Sequence, residues 1–543
     1  MSKYNNIKKW MAIMTTTVIV AAIFASCTKN FVKENTPFTG PTVATLPQLY
    51  TGIGANLDAN AEGMDNTGAR WLYPITQLGA VYAVSDYPYG SGPNWSGFYQ
   101  NLVGMGQMIA KMHAEADSAT YVNTEAMVRT LRAYQALELS NLYGDMPYFK
   151  AAKAFSGSTA DLKAPYDKQQ AIYLSCLGDL TWAVNHFNTN ANQYSLGSNE
   201  FLLKGDIAQW IKFANSLRLR YALTMYDKDN ADAGPIIADA LNKPLLSDPV
   251  LDVVGLSTAN IPGIGYGSRG SFFNQESRAR MGSTLWNLFS NNNNTDGSGI
   301  FDLRAKIFFE VNGSNQWVPY PQNPVTPIAD GGSPDPYNTQ RDGDWSLGKV
   351  GNLYSDYNYY WGRDGNIGGS TNPCPEIFMS AAETDFLKAE AYVRGAGVAQ
   401  NNAAAAAAYN DGITASLTFW KNMAFQSSVW VVNKPSSGTP TDAELNAVKT
   451  NSKVAWSDAN GLKLIYAQEW IDLFRQPWVA WALMRRTGNA TPQDTTNPTG
   501  YTQNYGSLQR FSYPGDEKQY NFANWQAATG GSDLTSTKIW IAK

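Results

Sequence analysis

At 543 residues the chain is long enough for a large buried core in one domain or several. A net charge of -4, with no basic stripe to neutralise phosphates, excludes a nucleic-acid binder. Charged residues are only 16% against about 25% in ordinary soluble proteins, while aromatics reach 13% with 17 Trp and 30 Tyr, a balance that points to neutral, amphipathic ligands.

In chain order, Lys3, Lys8 and Lys9 precede an apolar run from Trp10 to Ala25. Small residues and Cys27 follow. This is the layout of a secretory signal over residues 1–26. The run falls short of the roughly 20 apolar residues that a membrane-spanning helix needs. Cys27, directly after Ala25 and Ser26, resembles the acylated cysteine of bacterial lipoproteins, although Phe24 stands where Leu is usual. Residues 27–46, with Pro37, Gly40 and Pro41, then read as a polar tether, and residues 47–543 as a single body.

Helical periodicity predicts helices at 46–60, 68–85, 95–116, 124–143, 167–188, 206–226, 377–395, 403–421 and 460–486. Gly144 is expected in the left-handed conformation at a helix end. Asp206 is expected to cap the helix that follows it. Pro477 falls inside the last predicted helix and should kink it. Short turns join many of the helices in pairs, which predicts a tetratricopeptide-like stack at about 47–243 and 376–543. Between them, residues 244–375 are rich in Gly, Asn, Pro and aromatics. This insertion reads as a loop-rich subdomain with short strands, such as 306–311, and loops of that length are usually functional. Residues 427–453 form a second loop-rich stretch.

Two loop regions carry flat aromatic faces beside amide, carboxylate and guanidinium groups, the combination that stacks on sugar C–H faces and bonds hydroxyls. The first contains Tyr87, Tyr89, Asn94, Trp95 and Tyr99. The second contains Trp317, Tyr320, Tyr337, Trp345, Tyr354, Tyr357, Tyr359, Tyr360, Trp361 and Arg363. Alternation along an extended run would place Tyr359 and Trp361 on one face and Tyr360 on the other. The candidate ligand contacts are Tyr87, Tyr89, Asn94, Trp95, Trp317, Tyr320, Tyr359, Trp361 and Arg363. The alternative for each ring is packing within the loops.

No catalytic residues are assigned. The chain has no GxSxG, HExxH or P-loop, and its two histidines, His113 and His186, sit in predicted helices. A helical glycosidase with paired carboxylates is the enzymatic rival; a protein-docking lipoprotein is the other. Asp296, Asp302, Asp330, Asp335, Asp342 and Asp344 offer the oxygen ligands calcium takes. No calcium loop closes on a glutamate, however, so solvated acids are the expectation and no cofactor or metal is assigned. Cys176 and Cys374 leave one bridge open to formation, with Cys176 expected to act as a small buried apolar residue.

Several segments, in order, resemble the SusD/RagB family. They are NLYGDMPY at 141–148, KGDIAQWIKFANSLRLR at 204–220, AETDFLKAEA at 382–391, the stretch 468–488 ending in Arg485, Arg486, Thr487 and Gly488, and the tail from Arg510 through Trp540 and Ile541. The resemblance implies a mainly α fold with four tetratricopeptide-like helix pairs and a loop-rich, short-strand ligand-binding part. It also implies a SusC-like TonB-dependent barrel as partner and an address on the outer face of the outer membrane in Bacteroidetes. The implied role is binding of a nutrient, a glycan most commonly and a peptide alternatively, without catalysis. The shared segments read as structural: Asn215 and Arg218 as buried hydrogen-bonding groups, and Glu383, Glu390, Arg485 and Arg486 as inter-helix ion pairs.

Overall fold

Asp206 takes extended backbone angles and accepts a hydrogen bond from Gln209 N at 3.1 Å, as an N-cap acid should. The helix it opens buries almost its whole circumference, from Trp210 and Phe213 to Tyr221 and Met225. A helix buried on nearly all sides belongs at the centre of a bundle. This structure, a computed structural model, describes residues 44–67, 71–81, 92–153, 162–190, 192–256, 279–322, 353–358, 375–427, 430, 433–494, 505 and 507–543. Leu46–Lys543 forms one compact unit.

The fold is mainly helical with short strands. Its main helices are α1 (Leu46–Thr67), α2 (Trp95–Ala114), α3 (Val122–Tyr143), α4 (Gln169–His186), α5 (Ile207–Met225), α6 (Asn230–Leu241), α7 (Ala381–Arg394), α8 (Asn402–Gln426), α9 (Gly461–Asp472) and α10 (Pro477–Arg486). Successive helices pack most heavily in twos: α1 on α2, α3 on α4, α5 on α6, and α7 on α8. The twos join through α2 on α3, α4 on α5, and α5 on α7, while α9 packs against α7. Buried cross-links match this order. Asn215 donates to the carbonyls of Ala240 and Pro244, and Arg218 bonds Asn215 and Asp239, so the polar residues of α5 hold α6.

Short strands sit where the chain leaves and re-enters the helices. Val253–Leu256 pairs antiparallel with Glu376–Ser380, with a register shift between Val254 and Gly255. A Cβ on Gly255 would lie 2.2 Å from the Glu376 carbonyl oxygen, so this close approach requires glycine. The pair pins together the two ends of the intervening stretch. Three two-residue strands of that stretch and one from before it form a single antiparallel sheet in the order Ala80–Val81, Ala279–Arg280, Asp356–Tyr357, Phe309–Glu310.

Several sequence expectations change. Of the helix expected at 68–85, the described residues 71–81 hold a short helical turn, Tyr73–Thr76, that ends at left-handed Gln77 and passes into strand Ala80–Val81. Residues 377–380 are strand, and the helix starts only after Ser380, whose hydroxyl caps Glu383 N. Residues 304–308 are helical, and only Phe309–Glu310 is strand. Pro477 kinks nothing. α9 ends at Asp472, a 3-10 turn spans Leu473–Arg475, and Pro477 opens α10, where its missing N–H has no role to lose. α6, with Pro235 inside it, was not expected, nor was Asp442–Lys449, held by a capping box of Thr441 and Glu444. Gly144 has φ 83° and ψ −124°, positive φ but outside the left-handed helical well, and Ile539 packs against the place its Cβ would take.

Candidate functional site

The sheet decides which loops meet. Ala80 and Asp356 both pair with Arg280 across antiparallel ladders. The strands Ala80–Val81 and Asp356–Tyr357 therefore run in the same direction, two strand spacings or about 10 Å apart. The chain leaves the sheet after Val81 and after Tyr357–Asn358 at one and the same end, and it re-enters at Ala279 from that end too. Segments far apart in sequence thus originate side by side. A buried ion pair fixes the level at which they do: Arg280 Nη1 lies 3.3 Å from Asp356 Oδ2. Neither residue had been singled out from sequence, where no local pattern links them.

Of the predicted contacts, Tyr87, Tyr89, Tyr359, Trp361 and Arg363 lie outside the described residues, as do Tyr337, Trp345 and Tyr360. The others can be placed. Asn94 precedes α2 with φ 61°, and Trp95 begins the helix. The indole of Trp95 is buried, with ring edges toward Tyr143 at 5.0 Å and Tyr513 at 5.6 Å and a tilted contact with Tyr99 at 5.3 Å. Three hydroxyls tie this cluster down: Tyr99 donates to Pro147 O, Tyr143 to Pro93 O and Tyr513 to Asp145 O. The cluster joins the start of α2, the turn after α3 and the C-terminal tail. Beside it, Asn94, Leu57, Phe98, Gln135 and Glu138 line a cavity of about 50 Å³. The buried Asn94 Oδ1 has no hydrogen-bond donor there.

Trp317 and Tyr320 are also buried. Trp317 stacks on Trp286 at 6.2 Å and 16°, with Gly297 at φ 77° against its edge. Tyr320 meets Tyr354 edge-on at 4.8 Å, and Tyr357 lies beneath the sheet against Phe309 and Phe474. In this conformation protein atoms cover these rings, so they brace the loops from below. Most of the described tryptophans are buried in the same way.

The residues read as structural have long-range partners. Arg220 makes a two-point ion pair with Glu383 and donates to Phe378 O, which links α5 to the start of α7. Arg486 makes another with Glu390, at 2.8 and 2.7 Å. Burial raises the Glu390 carboxyl, but Arg486 and Arg394 outweigh it and hold the group at about 2. Arg485 departs from the expected ion pair. It donates to the carbonyls of Trp481, Gln509 and Asn141, lies 3.7 Å from the Trp481 ring centre, and is pushed down to about 9 by burial. It anchors the tail rather than another helix's acid.

Among the described residues no cluster of His, Cys, Asp or Glu could hold a metal ion. Asp302 is engaged by Arg304, and Asp296 accepts from Ser298 N. Asp330, Asp335, Asp342 and Asp344 lie outside the described residues. Cys176 is buried and unbridged, its thiol facing the Tyr148 hydroxyl and pushed up to about 12 by burial. Cys27 and Cys374 lie outside the described residues. His113 contacts Glu125 at 2.9 Å, and His186 stacks on Trp182.

Two family models match the chain. Residues 45–294 match one described as "Starch-binding associating with outer membrane", and residues 356–542 match "Susd and RagB outer membrane lipoprotein". Among solved structures, a chitin-binding protein is similar at 21% identity and TM-score 0.66, over 92% of this chain and 100% of that one. A chitin-binding SusD homolog from Flavobacterium johnsoniae is similar at 19% identity and TM-score 0.63, over 91% and 98%. A SusD homolog from Bacteroides uniformis is similar at 21% identity and TM-score 0.61, over 91% and 99%. None of the curated proteins matches.

Proposed function

This chain belongs to the SusD-like family of outer-membrane nutrient-binding proteins, which partner SusC-type transporters, and on that premise we propose that it captures a neutral oligosaccharide. The observation that carries the cargo reading is the shared end of the sheet. It starts the aromatic segments after Val81 and after Asn358 from neighbouring positions. Tyr87, Tyr89, Tyr359 and Trp361 would stack on sugar rings, with Asn94 and Arg363 bonding hydroxyls. Trp95, Trp317 and Tyr320 would serve as the buried floor. Two of the similar structures are of chitin-binding proteins, which makes chitin fragments one cargo to test first.

In this reading residues 1–26 are removed, Cys27 carries lipid, and residues 27–46 tether the body to the outer face of the membrane. The four helix twos form a tetratricopeptide-like stack that docks on the barrel as a lid. Capture proceeds without bond cleavage, and modest affinity lets the cargo be passed on.

Calorimetric titration with glycans and peptides, with product analysis of the same samples, tests this. Binding of one glycan class without cleavage is the expected result. Tyr359→Ala and Trp361→Ala should each weaken it by about 1–3 kcal/mol, the scale of a buried aromatic contact. Cleavage products would replace the reading with a glycosidase. Peptide binding alone would replace the cargo. Unchanged affinity in the combined variant would remove the loop site.

A further inference from the structure

A second concave surface lies on the helical scaffold, between the ends of helices that the loop site does not use. Tyr226 after α5, the C-terminus of α7, the turn into α8, the N-terminus of α9 and the turn after α10 enclose a cleft of about 890 Å³. That is within the size range of small-molecule sites.

Its lining is largely apolar surface interspersed with polar groups, several of them uncommitted. The amides of Gln400, Asn460 and Asn489 face it, and among the described residues none of these side chains has a hydrogen-bond partner. The Oδ1 atom of Asn402 is shielded from solvent and likewise has no donor. Asn460 stands at the N-cap position of α9 and makes no side-chain cap, so its amide is uncommitted at the mouth of the cleft. Each of these amides offers both donors and an acceptor, the complement of a sugar hydroxyl.

The walls are held in place. Arg394 is bonded to Glu390 and Asp227, and its guanidinium lies 5.0 Å from the ring centre of Tyr226. Tyr466 donates to Glu390, and Asn489 is fixed at φ 65° with its N–H on Met484 O. The mobile charges are balanced. Lys463 and Asp458 carry opposite signs, while Arg394 is already neutralised by its two acids. Nothing here selects a polyanion.

We propose that this cleft is a second glycan site, taking a short neutral oligosaccharide through side-chain amide hydrogen bonds and apolar contact with its walls. It would let the protein hold a polymer at two points, so that weak contacts add by effective concentration.

The test is hydrogen–deuterium exchange of the detergent-solubilised full chain with maltohexaose, xylohexaose and chitohexaose at millimolar concentration. At least one glycan should slow exchange in peptides covering 458–463 and 487–493. That protection should persist in a Tyr359→Ala/Trp361→Ala variant. A Gln400→Ala/Asn460→Ala variant alters two exposed side chains and should keep the wild-type melting temperature. It should raise the glycan concentration needed for protection at least tenfold. Ala490→Trp, which fills the cleft from an exposed position, should abolish protection. Absence of protection in these peptides with all three glycans would overturn the proposal, as would protection unchanged by both cleft variants.

Discussion

In the scaffold, Arg220 on α5 reaches Glu383 on α7 across 163 residues, whereas in the loop-rich part Asn312 accepts from Ser314 N and Gln316 N, a few residues away. The contrast runs through both regions. Scaffold polar groups include buried, charged pairs joined over long distances, as with Arg486 and Glu390 or Arg220 and Glu383. The loop-rich part has such a pair in Arg280 and Asp356, but it satisfies much of its backbone through side chains nearby, as Asn292 does for Asn294 N and Asp296 for Ser298 N, and adds stacked rings such as Trp286 on Trp317. Long-range pairs make several helices depend on one another. Local bonds let a loop keep its shape while its neighbours change. A carrier needs both: a body that docks as a unit and loops whose surface suits a particular cargo. Arg304 joins the two kinds, held by Asp302 nearby and donating to Ser416 on α8 and Gln468 on α9.

The largest effect should come from breaking a scaffold pair. Glu383→Ala leaves Arg220 buried without its carboxylate and should cost about 3–5 kcal/mol of stability in urea unfolding. The loss should register in every helix by hydrogen exchange. Protection lost only around α7 would mean that the pairs act locally and would remove the contrast drawn above. Trp317→Ala should cost about 3 kcal/mol through the void beside Trp286. Its effect on exchange should stay within 279–358, so a global loss there would equally blur the two regions.

A smaller effect concerns pH. Burial pushes Asp472 up to about 6 from its ordinary 3.8. Between about pH 4 and 6 the folded state therefore keeps a proton that the unfolded chain has released, so stability falls as pH rises through that window. Asp472→Asn removes this contribution. The variant should gain on the order of 2 kcal/mol at pH 7 relative to its difference from the parent at pH 4. Glu390, held at about 2, acts in the opposite sense, losing stability as pH falls below about 4.5. An unchanged difference between the two pH values would show that Asp472 is ionised in the folded state.

Helices α2 to α5 were legible because their apolar periodicity is strong and their ends carry local signals, Asp206 above all. Asn215, Arg218, Glu383, Glu390 and Arg486 were legible as buried polar groups, since charge inside an apolar helix must find a partner. Other elements escaped. Residues 377–380 read as helix because a short apolar run fits either period, and only pairing with Val253–Leu256 makes them strand. α6 was hidden by Pro235, and the break before Pro477 was read as a kink because a proline at N1 and a proline inside a helix look alike in one sequence.

For the site, residue types pointed to aromatic loops, but not to which rings would be buried. Trp95, Trp317 and Tyr320 share the chemistry of a sugar platform and went into packing instead. Nothing local distinguishes a ring that stacks on a ligand from one that stacks on Trp286. The sequence by itself determined the helical class, the buried charged segments and the aromatic character of the loops, because those follow from composition and short-range periodicity. Only the tertiary structure decided that Arg220 meets Glu383, that Arg280 stands between Ala80 and Asp356, and that the ends of α7, α9 and α10 line one cleft. Those outcomes depend on contacts between residues far apart in the chain, which the packing of the whole unit selects and no local pattern encodes.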